Sequence, residues 1–372
     1  MHPTYEVADV LRRNHQQLGQ LTANSWQSRT LYALADCRTY KMGGHIDKCN
    51  NTNCNHIHIS YNSCRNRHCP KCQGHKQEEW IQKREEDLLK VPYYHLVFTL
   101  PNELNYLALF KPKFLYDLLF KVSWSVINDF AANKKFMGAK TGMIAILHTW
   151  GQNLSLHPHL HCIVPGGGIR GKKWIAAKGK DKYLFPVKAM SKVFRARFME
   201  AIRKKLELEQ SLSKELFAKN WVVYCKQAFW DPKQVIEYLG RYTHKIAISN
   251  HRIQSISNGK ITFMAKDYRH AGRKYSLTLT DAEFIRRFSQ HILPKGFTRI
   301  RHYGILSSTL KKKLLHIIEE QIGKIIIAEK RPSIIGICPV CKTGKMITIQ
   351  YFDCRGPPSL EDVPRLKSKS IA

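Results

Sequence analysis

His157-Pro158-His159-Leu160-His161-Cys162-Ile163-Val164 decides how the rest of the chain is read. Apolar and β-branched residues flank the histidines, which predicts a strand over Leu154–Val164. On a strand, alternate side chains share a face. His157, His159 and His161 are therefore expected on one side, about 7 Å apart from one to the next. Two neutral imidazoles at such spacing can grip a divalent metal and leave coordination positions open. A structural histidine cluster is the plainer alternative.

The neighbouring segments make a sheet around that strand. Tyr94–Leu100 is strongly β-prone, closed by Pro101, and apolar enough to be buried on both faces. Met143–Trp150 reads as another strand. Gly151-Gln152-Asn153 makes the turn that joins it to the histidine strand as an antiparallel hairpin. Leu104–Phe130 is amphipathic and helical, with a break near Pro112. A two-histidine site usually draws a third ligand from a neighbour, and Gln152 is slightly favoured over His148. An oxygen ligand beside two imidazoles suits Mg²⁺ or Mn²⁺.

The 372 residues allow two or three domains. Their net charge of +33 is spread along the chain, which makes nucleic acid the first partner to consider. There is no apolar run long enough for a membrane helix and no signal-peptide pattern, so a soluble, cytoplasmic, DNA-associated protein is expected, with no membrane partner. Eleven cysteines, odd in number and clustered, argue for metal over disulfides.

Most of the clustering falls in residues 1–90, after a helical start. Cys49-x4-Cys54 with Cys69-x2-Cys72 has the form of a zinc ribbon, two knuckles joined by a hairpin around Ile57–Tyr61. Four sulfurs would close a structural Zn²⁺ site. Cys37, His45, Cys64 and His68 are left over, either as a second, interleaved zinc site or as ordinary buried side chains. Arg65, Arg67, His68 and Lys71 crowd the second knuckle as phosphate contacts or as a solvated basic loop. Lys76–Lys90 reads as a charged helix.

Beyond the histidine strand, Gly166-Gly167-Gly168 reads as a turn, since it lacks the spacing of a phosphate loop. Lys172, Lys173, Lys178, Lys180 and Lys182 with Trp174 and Tyr183 form a basic, aromatic loop. Ser191–Leu208 predicts a helix and Trp221–Cys225 a strand. Asp231-Pro232-Lys233-Gln234 opens a further helix. It carries Tyr238 and Tyr242 on one face, four residues apart. Alone, such a pair is packing. Beside a metal-binding strand, a phenolate can attack a phosphodiester and hold the 5′-phosphate, and two tyrosines permit two successive strand transfers. Arg241 and His244 are candidate phosphate contacts. Towards the C-terminus, Lys260–Lys266 and Lys274–Leu279 read as a hairpin, Thr280 as a helix cap, and Ser307–Gly323 as a basic helix. Arg299, Arg301, His302 and Tyr303 are candidate DNA contacts. Cys338-x2-Cys341 with Cys354 lacks an evident fourth ligand and is either a degenerate knuckle or a set of tail thiols. After Gly356 a disordered tail is expected.

Several of these stretches together resemble the rolling-circle transposases of the insertion-sequence-91 family, built on the His-hydrophobe-His (HUH) endonuclease. They are Ser63–Cys72, Val97–Pro101, His148–Gln152, His157–Gly168, Tyr238–Thr243, His251–Ile253 and Leu293–Gly304, spanning roughly residues 35–305. The resemblance implies that His159 and His161 are the metal pair and that Tyr238 and Tyr242 are the nucleophiles. It implies nicking of single-stranded DNA at element ends. The implied fold is α+β: a zinc-ribbon-like module (1–90), an HUH core of antiparallel sheet flanked by helices (91–250), a basic extension (251–330), and a knuckle and tail (331–372). A plasmid replication initiator or relaxase with the same site, and a non-catalytic zinc-ribbon nucleic-acid binder, are the alternatives.

Overall fold

A computed structural model describes residues 3–54, 56–73, 88–178, 184–229, 240, 245–267, 270–324 and 336–358. Residues 76–87 of the expected charged helix, the loop residues Lys180, Lys182 and Tyr183, and the tail from 359 onward lie outside them; Leu88–Lys90, expected at the end of that helix, are described and are not helical.

Two helices open the chain, α1 (Val7–Arg13) and α2 (Ser25–Ala35), the second capped by the Asn24 side chain accepting from the Gln27 N–H. Strands β1 (Gly44–Cys49) and β2 (Ile57–Tyr61) follow as an antiparallel pair. Next comes β3 (Tyr93–Thr99), almost wholly buried as its apolar run predicts. Helices α3 (Asn105–Phe110) and α4 (Pro112–Ala132) meet at Pro112, which ends one helix and sits at the first turn of the next. Then β4 (Gly142–Trp150) and β5 (Leu156–Pro165) form the expected hairpin.

The glycine run departs from expectation. Gly167–Arg170 is itself a strand, β6, paired with β7 (Lys173–Ala176). A Cβ on Gly168 would lie 2.4 Å from the Lys140 carbonyl oxygen, so the glycine is there for close backbone approach and not for a loose turn.

Helices α5 (Val187–Arg203) and α6 (Gln210–Ala218) lead to β8 (Val223–Phe229). A meander of β9 (Ile253–Ser257), β10 (Lys260–Asp267) and β11 (Arg273–Thr280) runs into α7 (Asp281–Ser289), where Thr280 caps as predicted, accepting from the Glu283 N–H. Strand β12 (Ile300–Gly304), helix α8 (Ser308–Ile322) and β13 (Met346–Phe352) complete the described chain.

The central sheet has the order β12-β4-β5-β3-β8 and is antiparallel throughout, so the histidine strand is its middle member. Alternation along β5 divides its side chains. Leu160, Cys162 and Val164 enter the main core with α4 and α5, while Ile163 joins a smaller core with Ile144, Ile146 and Ile318 on the other face. His157, His159 and His161 share parity with Ile163, so they extend that second face beyond its apolar end.

Two features cross the domain boundaries expected from sequence. Leu11, Leu31 and Leu34 share one core with Ile261, Phe263, Phe284 and Phe288, so the helical start packs on the β9–β11 meander. Strand β13 pairs antiparallel with β1, giving a sheet of order β13-β1-β2, so the C-terminal stretch belongs with the N-terminal module. Asp47, buried in that sheet, accepts from Ser60 on β2 at 3.1 Å and Thr348 on β13 at 2.7 Å.

Candidate metal centre and zinc-binding module

The hairpin register sets His148 on β4 directly opposite His159 on β5. The ligand nitrogens of His148, His159 and His161 all lie within 4.8 Å of one another. The rings of His159 and His161 are 4.9 Å apart and those of His157 and His159 5.1 Å, closer than strand spacing alone requires, because the side chains lean together. His157 stays outside the trio. The sequence slightly favoured Gln152 as third donor; the imidazole that converges is His148. Gln152 lies on the turn after β4, where its backbone carbonyl accepts from the Arg252 guanidinium.

Hydrogen bonds fix which nitrogen faces the cluster. His159 Nδ1 donates to the His157 carbonyl at 2.6 Å, which leaves Nε2 with its lone pair. His161 Nδ1 is 2.9 Å from Nε2 of His95, a buried residue on β3, which fixes the orientation of the His161 ring within the cluster. The His148 ring stacks on Trp150 at 4.6 Å. Burial, and secondarily the neighbouring charges, keep His95, His159 and His161 neutral. His159 is pushed down to about 4 and His95 to about 3, and His161 lies well below the ordinary histidine range. Neutral imidazoles with converging lone pairs are the form a divalent ion requires.

The turn between β4 and β5 is clamped from a distance. His291 Nε2 donates to the Leu154 carbonyl at 3.0 Å while its Nδ1 takes the Thr149 hydroxyl at 3.2 Å. Arg287 donates to the Asn153 carbonyl at 3.0 Å. Lys245 puts a positive charge near His159 and His161 and contributes to lowering both. His95, His291 and Lys245 were not singled out from sequence as site residues. Only the β3 position of His95, facing β5, gave a signal, and it needed the strand register to be read.

Tyr238, Arg241, Tyr242 and His244 lie outside the described residues. Gly240 between them is helical and buried. The segment is bracketed by β8, which pairs with β3, and by Lys245 beside the imidazoles.

The cysteines group differently from their order in sequence. Cys37, Cys64, Cys69 and Cys72 form one set, with sulfur separations of 3.6 Å (Cys37–Cys72 and Cys37–Cys69) and 3.7 Å (Cys64–Cys72). Four sulfurs around Zn²⁺ at about 2.3 Å lie about 3.8 Å apart, the edge of the tetrahedron. This set fits zinc. Cys49 and Cys54, expected with Cys69 and Cys72, meet Cys338 and Cys341 instead. Neither leftover histidine joins a cluster. His45 Nε2 is 3.2 Å from Asp47, and buried His68 accepts from the Leu293 N–H at 3.3 Å.

The basic residues also separate. Arg67 donates to the carbonyls of Pro294 and Phe297, tying the second knuckle to that loop. Arg299 is buried and donates to the Lys245 carbonyl at 3.2 Å. The Arg299 guanidinium serves the protein interior and half-buried Arg67 is held by backbone carbonyls, a correction to their expected place on a DNA surface. Arg301 pairs with Asp117 and lies over the Phe120 ring at 4.2 Å. Arg65 is exposed, with a left-handed backbone.

Two family descriptions match the chain: "Transposase zinc-binding domain" over residues 10–100 and "Putative transposase" over 142–313. A protein of Sinorhizobium fredii described as a putative transposase is 38% identical over 96% of this chain and 98% of its own length. The chain belongs to the insertion-sequence-91 family of transposases. The transposase for insertion sequence element IS801 of Pseudomonas savastanoi pv. phaseolicola is 30% identical over 75% of this family member and 70% of its own length. No solved structure matches significantly. The zinc-binding match covers Cys37, Cys64, Cys69 and Cys72, and the transposase match covers all three converging imidazoles. Among the described residues no helix is long and apolar enough to cross a membrane.

Proposed function

We propose that this family member is a metal-dependent single-strand DNA nuclease and strand transferase, a rolling-circle transposase that works through a covalent 5′-phosphotyrosine. The observation that carries the reading is the convergence of His148, His159 and His161 on two neighbouring strands of an antiparallel sheet, with His161 oriented by His95 and His159 by the His157 carbonyl. A zinc-ribbon binder without catalysis has no use for such a trio. The relatives are described as transposases, which favours that reading over a replication initiator.

Tyr238 or Tyr242 supplies the nucleophile. Its phenolate oxygen bonds to phosphorus, the bond from phosphorus to the 3′-oxygen breaks, and that oxygen leaves and takes up a proton. A second 3′-hydroxyl later attacks the phosphotyrosine, joins the strands and returns the phenol. His148, His159 and His161 would hold a divalent ion, which when bound would supply Lewis-acid polarisation of the phosphate. Of Mg²⁺ and Mn²⁺, Mn²⁺ fits an all-nitrogen set better, because Mg²⁺ holds to oxygen ligands. Lys245 adds positive charge on the same side, where negative charge develops.

The test incubates the protein with Mn²⁺ or Mg²⁺ and single-stranded oligonucleotides carrying the element's ends, and maps the covalent adduct by mass spectrometry. An adduct on Tyr238 or Tyr242, abolished in Tyr238→Phe/Tyr242→Phe and in His159→Ala, is expected. Adduct formation that survives the double tyrosine change sinks the proposal.

A further inference from the structure

The second sulfur set joins two parts of the chain that neither family match connects. Cys49 and Cys54 flank the end of β1, whereas Cys338 and Cys341 precede β13, beyond residue 313 where the transposase match stops. All four sulfurs lie within 4.8 Å of one another, with Cys49–Cys341 and Cys54–Cys338 each at 3.7 Å. These separations are those of a sulfur tetrahedron around zinc, about 3.8 Å on edge.

The backbone around the sulfurs is shaped for a bound thiolate. The Gly344 N–H donates to Cys341 Sγ at 3.2 Å and the Asn51 N–H to Cys49 Sγ at 3.4 Å. Cys338-Pro339-Val340-Cys341 closes as a tight turn, with the Lys342 N–H on the Cys338 carbonyl at 2.9 Å, the Cys338 N–H on the Gly344 carbonyl at 2.7 Å, and Lys342 in the left-handed region. The two turns hold each other through Asn50. Its N–H donates to the Lys345 carbonyl at 2.9 Å, and its side-chain oxygen accepts from the Lys345 N–H at 2.7 Å. A Cβ on Gly344 would fall 2.4 Å from Cys49 Sγ, so only glycine lets the turns close to this distance.

We infer that Cys49, Cys54, Cys338 and Cys341 bind a second structural Zn²⁺ that clasps the C-terminal end of the chain to the N-terminal module. The site is all sulfur and has no open position, so it builds structure and does no chemistry. Its consequence is that the N-terminal zinc-binding region is incomplete without residues 336–352: they supply half of this second site's ligands and one strand of the sheet. Cys354, exposed and outside the set, takes no part. The inference stands independently of the nuclease reading.

The experiment measures zinc per chain by elemental analysis on full-length protein in a His159→Ala background, so that the imidazole site contributes nothing. Two zinc ions are expected, each with four sulfur neighbours by X-ray absorption. Cys338→Ser/Cys341→Ser should lose one ion and keep the other at the Cys37 set. One zinc in the parent, or two retained in the double variant, overturns the inference. If the double variant loses both ions by failing to fold, Gly344→Ala decides. It should release one ion to a chelator at least tenfold faster than the parent does, while the second is released at the parent's rate; equal release of both overturns the inference.

Discussion

At the scale of single residues, the contact between His95 and His161 holds the ring of a proposed ligand as an outer partner usually does. His95→Ala should weaken Mn²⁺ binding about 10–100-fold, with the apo protein's melting temperature much less affected than by His161→Ala. A Mn²⁺ titration of oligonucleotide cleavage measures this, and an unchanged midpoint would leave His95 as packing alone. His291 makes a different prediction. Burial holds it near a pKa of about 4, below the unfolded value near 6.5. A depressed folded value means that its stabilising contribution is full above about pH 6.5 and declines as pH falls towards 4. Between pH 6.5 and 5 this group should cost roughly 2 kcal/mol. Urea unfolding at pH 7.5 and 5.0 reads the loss, which His291→Gln should reduce.

At the scale of elements, the strands around the site were legible because their burial is written in composition and period. Tyr94–Leu100, Met143–Trp150 and the histidine strand each fall within a residue or two of β3, β4 and β5. Local chemistry also gave the cap at Thr280 and the helix break at Pro112. What sequence could not give was pairing over distance. Nothing near Cys49 announces Cys341, 292 residues away, and adjacency in sequence suggested the wrong partners. That His148 and not Gln152 converges on His159 was likewise a matter of register, visible only once β4 is set opposite β5. The glycine run misled because its purpose is contact, not bending. Gly168→Ala should therefore destabilise by about 1–3 kcal/mol through its clash with Lys140, read as a lower melting temperature with no loss of bound zinc.

At the scale of the whole molecule, the charge of +33, the burial of Arg299 and the backbone carbonyls that hold Arg67 point the same way. On the proposed reading, DNA affinity comes from many dispersed cations and not from one arginine cluster. The logarithm of the binding constant should fall linearly and steeply with the logarithm of salt concentration. A slope near zero, measured by anisotropy with a labelled oligonucleotide, would remove DNA backbone contact as the source of affinity. The antiparallel pairing of β1 with β13 also has a temporal side. A ribosome adding about 5–20 residues per second needs on the order of 15–60 s to deliver the partner after β1 has been made. During that interval the nascent polypeptide carries an uncovered sheet edge and two waiting thiols, so a prematurely terminated product should be prone to aggregate and a target for proteolytic clearance.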